Sequence, residues 1–271
     1  MAYELGIIGA GKIGEALAAG VVSRGLIPKD RILLSVRSER HRAELEARLG
    51  IRAVTEDGLV ARECDNLILA VKPKDVAEAM AGISGSLGPA KLLVSTAAGV
   101  SLGMLEAAAP AGTPIIRTMP NMAVAIGQGM TALSPGRAVT SSRLEWATSV
   151  FRACGRALVV GEEDMDAVTG LSGSGPAYIY IVIESLADGG VKLGLSRDVA
   201  TELAAQTVLG AAANVLLTGE HPAKLKDQVT TPAGVTIDGI LELEEGRLRV
   251  TLIKAVVKAA ERARQLMHRP R

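Results

Sequence analysis

Gly9, Gly11 and Gly14, in LGIIGAGKIGEAL, follow the spacing G-x-G-x-x-G behind an apolar run and ahead of a helical pattern. In that context the spacing describes a pyrophosphate cradle. The first glycine permits a tight turn, the second lets backbone approach the phosphates, and the third lets helix and strand pack closely. The free N–H groups of the helix start, at Ala10, Gly11, Lys12 and Ile13, would face the phosphates, and the helix dipole favours negative charge there. The end of the next strand selects the dinucleotide. An acid would hold a ribose 2′-hydroxyl, but the residues are Leu34-Ser35-Val36-Arg37-Ser38. Ser35 can hydrogen-bond a 2′-phosphate and Arg37 can pair with it as a charged fork, so the expectation is NADPH, with NADH the second candidate.

Two further segments fall at strand ends where a nicotinamide would lie: Ala70-Val71-Lys72-Pro73 and Ser95-Thr96-Ala97-Ala98-Gly99. Their small residues leave room for a ring, and Pro73 cannot continue a ladder, so the chain must turn out. Lys72 either meets an anion or opens a surface helix. In the second half, DQVTTPAGVTIDG (227–239) interrupts helical sequence with three threonines, a proline and two glycines. Its hydroxyls and exposed amides suit either a small anion or the capping of a helix near Ile237. TGLSGSGPAY (169–178) offers a second hydroxyl-rich stretch ahead of a long helical pattern.

Two kinds of architecture must position these groups. Over the first 160 residues, short β-branched runs at 5–8, 31–36, 66–71, 91–96, 114–119, 129–134 and 156–161 alternate with helical patterns at 12–24, 39–49, 74–83, 102–108 and 142–151. That alternation predicts a mainly parallel sheet covered on both faces. From about Gly161 the pattern is helical throughout: 164–170, 175–193, 197–217, 223–228, 237–244 and 248–266. Ser196 fits an N-cap, Pro222 a first-turn position and Gly194 a helix stop. The resulting expectation is an α/β Rossmann-type domain over 1–161 and an all-α domain over 162–271. The helices at 177–187 and 203–217 are apolar around much of their circumference, which predicts burial against a second copy of the chain.

Composition excludes several classes. With 271 residues, 22% charged, and a formal net charge of +1, the chain has no global field to draw nucleic acid or a membrane. One Trp, three Tyr and one Phe are too few for a stacked single-strand platform. Cys64 and Cys154 lack partners at metal-ligand spacing, and His41, His221 and His268 are scattered, so no metal site is expected. The apolar run at Leu5 lacks a basic flank, and no apolar stretch is expected to reach the roughly 18 residues of a membrane span, which makes the cytoplasm the expected location.

In order and spacing these motifs resemble the pyrroline-5-carboxylate reductase family. The likeness runs over essentially the whole chain: GAGKIG, AVKP at 70–73, AAG at 97–99, RTMPN at 117–121, GLSGSGPAY at 170–178, ADGGVKLGL at 187–195 and LKDQVTTPAGVTIDG at 225–239. The resemblance implies reduction of the cyclic imine 1-pyrroline-5-carboxylate to L-proline, the last step of proline biosynthesis. It implies a homodimer through the C-terminal helices that can assemble further into decamers. It places the substrate carboxylate on the turn at Ala233, Gly234, Val235 and Thr236, with Thr231 beside it, and carries the hydroxyl that contacts the ring nitrogen onto Thr236. Glu162 falls on an acidic position near the substrate, and Asn121 on the cofactor. Two departures stand out. Ala233 replaces a glycine of the family's P-G-G-x-T pattern, so the backbone must suit a Cβ or the loop must shift. Asp57 stands where some relatives carry Asn near the adenosine, and an acid sits poorly beside a 2′-phosphate.

The competing readings are a hydroxyacid dehydrogenase with Lys192 as the acid, and a nucleotide-sensing module without chemistry. Loss of chemistry with intact cofactor binding in Lys192→Ala would favour the first. The run at 227–239 argues against the second, since a sensor needs no small anion site.

Overall fold

The computed structural model describes residues 3–267, so His268 lies outside the described residues. It divides into two compact units, one running to Ser174 and resuming at Lys258, the other covering Gly175–Val257.

The first unit is built on one sheet of eight strands: β1 (Tyr3–Ile8), β2 (Ile32–Ser35), β3 (Arg52–Val54), β4 (Cys64–Leu69), β5 (Leu92–Ser95), β6 (Ile115–Pro120), β7 (Gly129–Pro135) and β8 (Gly155–Val159). Their order is β3-β2-β1-β4-β5-β6-β7-β8, and all neighbours are parallel except β6 and β7. Around it lie α1 (Lys12–Ser23), α2 (Glu39–Leu49), α3 (Asp57–Glu63), α4 (Val76–Ile83), α5 (Leu102–Ala107), α6 (Ser141–Arg152) and the short α7 (Met165–Val168). Strands such as β2 and β5 are buried at every residue, as the β-branched and leucine runs require of a sheet covered on both faces. One apolar core on one side holds Leu17, Val21 and Phe151; another opposite holds Val60, Met80 and Ile83. The chain leaves β1 for β2 in one direction and continues from β4 in the other. That reversal opens a crevice at the carboxyl ends of β1 and β4, where open α/β sheets bind ligands.

β3 and α3 have no counterpart among the expected elements. Three residues carry no readable alternation, and a seven-residue helix containing Gly58 lies below the length at which periodicity is distinct. Tertiary contacts hold them in place. The β3 register on β2 is Leu33↔Arg52 to Ser35↔Val54, and Lys91 Nζ donates to the carbonyls of Ala61, Arg62 and Cys64 at 2.6, 2.9 and 2.7 Å, satisfying the C-terminal end of α3.

The second unit is helical: α8 (Gly175–Lys192), α9 (Arg197–Thr218), α10 (Pro222–Gln228), α11 (Val235–Glu245) and the first half of α12 (Leu248–Met267). Ser196 caps α9 through the Val199 N–H, Pro222 opens α10, and Gly194 has φ +99° after α8. α8 and α9 pack through Ala187, Ala200 and Ala204. Beyond that small-residue seam, Tyr180, Ile181, Leu203, Leu209, Leu217, Leu241 and Ile253 are exposed. Contrary to the expectation above, α9 is long and apolar enough, by length and composition alone, to cross a bilayer. The physical reason is that an apolar helix awaiting a protein partner has the same composition as one awaiting lipid.

Candidate functional site

The crevice at the β1–β4 reversal is formed by the segments whose residue types suggested it. Gly9 turns the chain out of β1 with φ +78° and lies against Val71. A Cβ on Gly14 would meet Ile7 Cγ2 at 2.9 Å and Ala70 Cβ at 3.4 Å, so close helix–strand packing depends on its absence. A Cβ on Gly11 would meet nothing within 4 Å, because that face of the cradle opens to solvent. No side chain caps α1, so the Lys12 and Ile13 N–H groups are available to an anion; contrary to expectation the Ala10 and Gly11 N–H groups are not, because they donate to the carbonyls of Ser35 at 2.8 Å and Gly9 at 2.7 Å as the chain turns out of β1. A cavity of about 270 Å³ lies over this cradle, lined by Gly9, Ala10, Gly11, Val36, Arg37, His41, Ala70, Val71, Lys72 and Asp75. The fold therefore gathers most of the residues expected to hold a dinucleotide, with Lys12, Ile13 and Gly14 following on α1. This cradle fits a pyrophosphate.

Toward β3 a second cavity of about 490 Å³ lies beside Arg37, Thr55, Glu56, Asp57, Gly58 and Arg62. Ser35 is fully buried; its hydroxyl accepts the Gly9 N–H at 3.3 Å and donates to Asp57 Oδ1 at 2.5 Å. Arg37 is exposed and pairs with Asp75 at 2.8 Å. The hydrogen bond and charge of Arg37 hold the Asp75 carboxyl below its ordinary range, and Asp75 raises Arg37 in return. His41, unassigned in the sequence, lies here as well: Nε2 is 3.2 Å from the Ala10 carbonyl and 3.2 Å from Glu15 Oε1. Nothing local marked His41, since it reaches the cradle only because α2 lies beside Glu15 of α1, which pairs with both His41 and Arg48.

After β4, Lys72 is exposed and Pro73 begins a 3-10 turn, while Ala97 is buried and Ala98 half-buried after the end of β5. Asn121 ends β6 with its side chain engaged by protein: Oδ1 accepts from Ala123 N and Met130 N, each at 3.2 Å, and Nδ2 donates to the Ser172 carbonyl at 3.3 Å. It orders the strand end and ties it to the 169–174 stretch, which forms a π-turn leading to α8. Glu162 is similarly engaged. Its Oε1 accepts from the buried Arg117 at 2.7 Å and from the Leu102 N–H at 3.0 Å, fixing the start of α5 against β6. Its other oxygen, Oε2, is buried with no hydrogen-bond partner among the described residues.

Within the second unit, the run at 227–239 is a turn followed by a helix. The Gly234 N–H donates to the Thr231 carbonyl at 3.0 Å across Pro232 and Ala233, and Ala233 takes φ +56°. Pro at the second position and a positive φ at the third are the pattern of a type II turn. The Cβ anticipated as a problem is thus carried in a left-handed conformation. α11 starts at Val235 with Gly234 as N-cap and no side-chain cap, so neither Thr231 nor Thr236 serves the capping role. Thr236 is half-buried and its hydroxyl makes no hydrogen bond among the described residues. Uncapped first-turn amides and an uncommitted hydroxyl are what a small carboxylate with an adjacent nitrogen would use.

Comparison with known proteins follows the same division. A family model described as pyrroline-5-carboxylate reductase dimerisation matches residues 162–266, and one described as NADP oxidoreductase, coenzyme F420-dependent, matches 4–99. A pyrroline-5-carboxylate reductase of Methanosarcina acetivorans is 46% identical over 263 residues, 97% of each chain. One from Arabidopsis thaliana is 45% identical over 264 residues, covering 97% of this chain and 95% of that one. Among solved structures, a pyrroline carboxylate reductase of Plasmodium falciparum with NADP bound superposes with a TM-score of 0.87 at 32% identity, covering 98% of both chains. A pyrroline-5-carboxylate reductase from Coxiella burnetii gives 0.93 at 31%, covering 99% of this chain and 100% of that one.

Proposed function

We propose how these sites work from one premise: the chain belongs to the pyrroline-5-carboxylate reductase family. It is an NAD(P)H-dependent oxidoreductase that reduces the C=N bond of 1-pyrroline-5-carboxylate to give L-proline, and it forms dimers through its helical region. The carrying observation is similarity over the full chain to reductases of this name, joined to a glycine cradle with a free helix N-terminus at the sheet reversal.

Bound in the crevice, the cofactor supplies hydride from its nicotinamide. The chain's residues do the rest. Gly9, Gly11 and Gly14, with the amides of Lys12 and Ile13, hold the pyrophosphate, and Ala10 lines the cradle while its N–H stays on the Ser35 carbonyl. Ser35, Arg37 and Lys72 serve its anionic and ribose groups. Val71, Pro73, Ala98 and the strand end ordered by Asn121 shape the space for the ring. A protonated imine accepts hydride more readily than a neutral one, so the substrate site must hold a carboxylate and place a hydroxyl at the nitrogen. We assign the carboxylate to the turn formed by Thr231, Gly234 and Val235, whose helix-start amides avoid burying it unpaired. We assign the nitrogen to Thr236 Oγ1. A threonine hydroxyl is a weak acid, so Thr236 positions the ring first and relays a proton second. Glu162 holds Arg117 and the start of α5. Nothing in this scheme requires a metal.

The functional division follows residues 1–161 for cofactor and 162–271 for dimerisation and substrate. The exposed apolar residues of α8, α9 and α11 are the surface a second copy covers, and dimers joined into decamers extend the same assembly. The partners are the small-molecule substrate and further copies of the chain, not nucleic acid or membrane. Two buried, unpaired thiols, Cys64 and Cys154, suit the reducing cytoplasm.

The test is NADPH oxidation with the imine by wild type and Thr236→Ala, with cofactor binding measured separately. The expected loss in kcat/KM is on the order of 10²-fold or less, with Thr236→Ser retaining most activity. Unchanged kcat/KM in Thr236→Ala would remove Thr236 from the mechanism, and absence of imine-dependent oxidation in wild type would remove the reading altogether.

A further inference from the structure

The sequence at the end of β2 has no acid, yet the fold delivers one. β3 lies beside β2 with Ser35 opposite Val54, and the chain turns through Thr55 and Glu56 so that Asp57 opens α3 next to Ser35. The Ser35 hydroxyl has one proton, and it is donated to Asp57 Oδ1 at 2.5 Å. Asp57 Oδ2 makes no hydrogen bond among the described residues, and Asp57 lines the cavity of about 490 Å³. In the lining of that cavity Glu56, Asp57, Asp75 and Glu78 stand against only Arg37 and Arg62. Both guanidiniums are already paired, Arg37 with Asp75 and Arg62 with Glu56, each at 2.8 Å.

A 2′-phosphate placed here would bring further negative charge into a lining with an excess of carboxylates. It would find the Ser35 proton engaged and Arg37 shared with Asp75. A 2′-hydroxyl would instead donate to the open oxygen of Asp57, the contact that an acid at a strand end makes in sites selecting the unphosphorylated dinucleotide. We infer that Asp57 is a specificity-determining residue: its carboxylate accepts the adenosine ribose 2′-hydroxyl and opposes a 2′-phosphate, so that NADH binds this chain at least as tightly as NADPH. The inference rests on the crevice being the dinucleotide site. It leaves NADPH a usable cofactor, held through the pyrophosphate cradle and Arg37, and gives Asp57 control over the ratio.

The experiment is calorimetric titration of the purified full-length protein with NADH and with NADPH, for wild type and Asp57→Asn. Asn keeps an acceptor for Ser35 and removes the charge. Wild type is expected to bind NADH as tightly as NADPH or more tightly. Asp57→Asn is expected to tighten NADPH on the order of ten-fold, from removal of a like charge at close range in a partly screened pocket, and to weaken NADH several-fold, because Nδ2 replaces the oxygen that accepted the 2′-hydroxyl. A wild type that binds NADPH ten-fold more tightly than NADH overturns the inference, as does a variant whose ratio stays within two-fold of wild type. Should Asp57→Asn fail to fold, the wild-type ratio alone decides. If wild type binds neither dinucleotide, the cofactor reading of the crevice fails with it; strong preference for NADPH defeats this inference alone.

Discussion

Replacing Ala233 by glycine should stabilise the protein. Ala233 occupies the third position of the turn closed by the Gly234 N–H on the Thr231 carbonyl, and its φ of +56° places its Cβ in the left-handed region. For a residue with a Cβ that conformation costs roughly 1–2 kcal/mol. Glycine removes the cost but loosens the unfolded chain, which takes back about 0.4–1 kcal/mol. The net expectation is a gain of about 0.5–1 kcal/mol, or a rise in Tm of about 1–3 °C for a domain of this size. Because the turn keeps its dihedrals, KM for the imine should stay within about three-fold. Ala233→Val is the opposing control: a β-branched side chain is harder to hold at positive φ and should lower stability by 1 kcal/mol or more, as an order of magnitude. The assay is thermal unfolding of both variants and wild type at one protein concentration, since dimerisation makes Tm concentration-dependent. A lower Tm for Ala233→Gly, or no change for Ala233→Val, would refute the reasoning, because either result means that the turn is not held left-handed at this residue.

Other outcomes follow from the site and the core. Gly11→Ala should leave stability within about 0.5 kcal/mol, since the added Cβ meets no protein atom, while weakening NADPH binding ten-fold or more as an order of magnitude, because the methyl group occupies the phosphate approach. Calorimetric binding and urea unfolding on one sample separate the two, and unchanged affinity would mean that phosphates do not approach there. Burial pushes the Cys64 thiol up to about 12 and the Cys154 thiol up to about 11. Native protein at pH 8 should therefore resist a thiol reagent that labels both residues after unfolding. These folded values lie above the unfolded one, so the stability the thiols contribute is intact below about pH 8.5. It declines as pH rises toward 11, by about 1.4 kcal/mol per pH unit for each thiol. Unfolding measured across that range in wild type and Cys64→Ala should show a shallower slope for the variant, and equal slopes would mean that Cys64 is not desolvated.

The local pattern determined a good deal by itself. Gly9 and Gly14 were legible because a tight turn and a close helix contact each demand a residue without Cβ, and their spacing fixes both to one strand–helix junction. The parallel sheet showed in runs such as ILLS and LLVS, which only a strand buried on both faces can use. The helices of the second half showed in long runs of Ala, Leu, Glu and Lys bounded by Ser196, Gly194 and Pro222, and Pro232 ahead of Ala233 marked the turn because proline presets φ at the second position. What the tertiary structure decided are the meetings between residues distant in sequence. Asp57 reaches Ser35 because a three-residue strand too short to read pairs with β2. Glu162 reaches Arg117 and the start of α5, and His41 reaches the Ala10 carbonyl, only once sheet and helices have packed. Periodicity and turn chemistry depend on neighbours a few residues apart, so one sequence displays them. Which carboxylate faces which hydroxyl depends on strand order and register, and those are settled by burying the whole sheet at once.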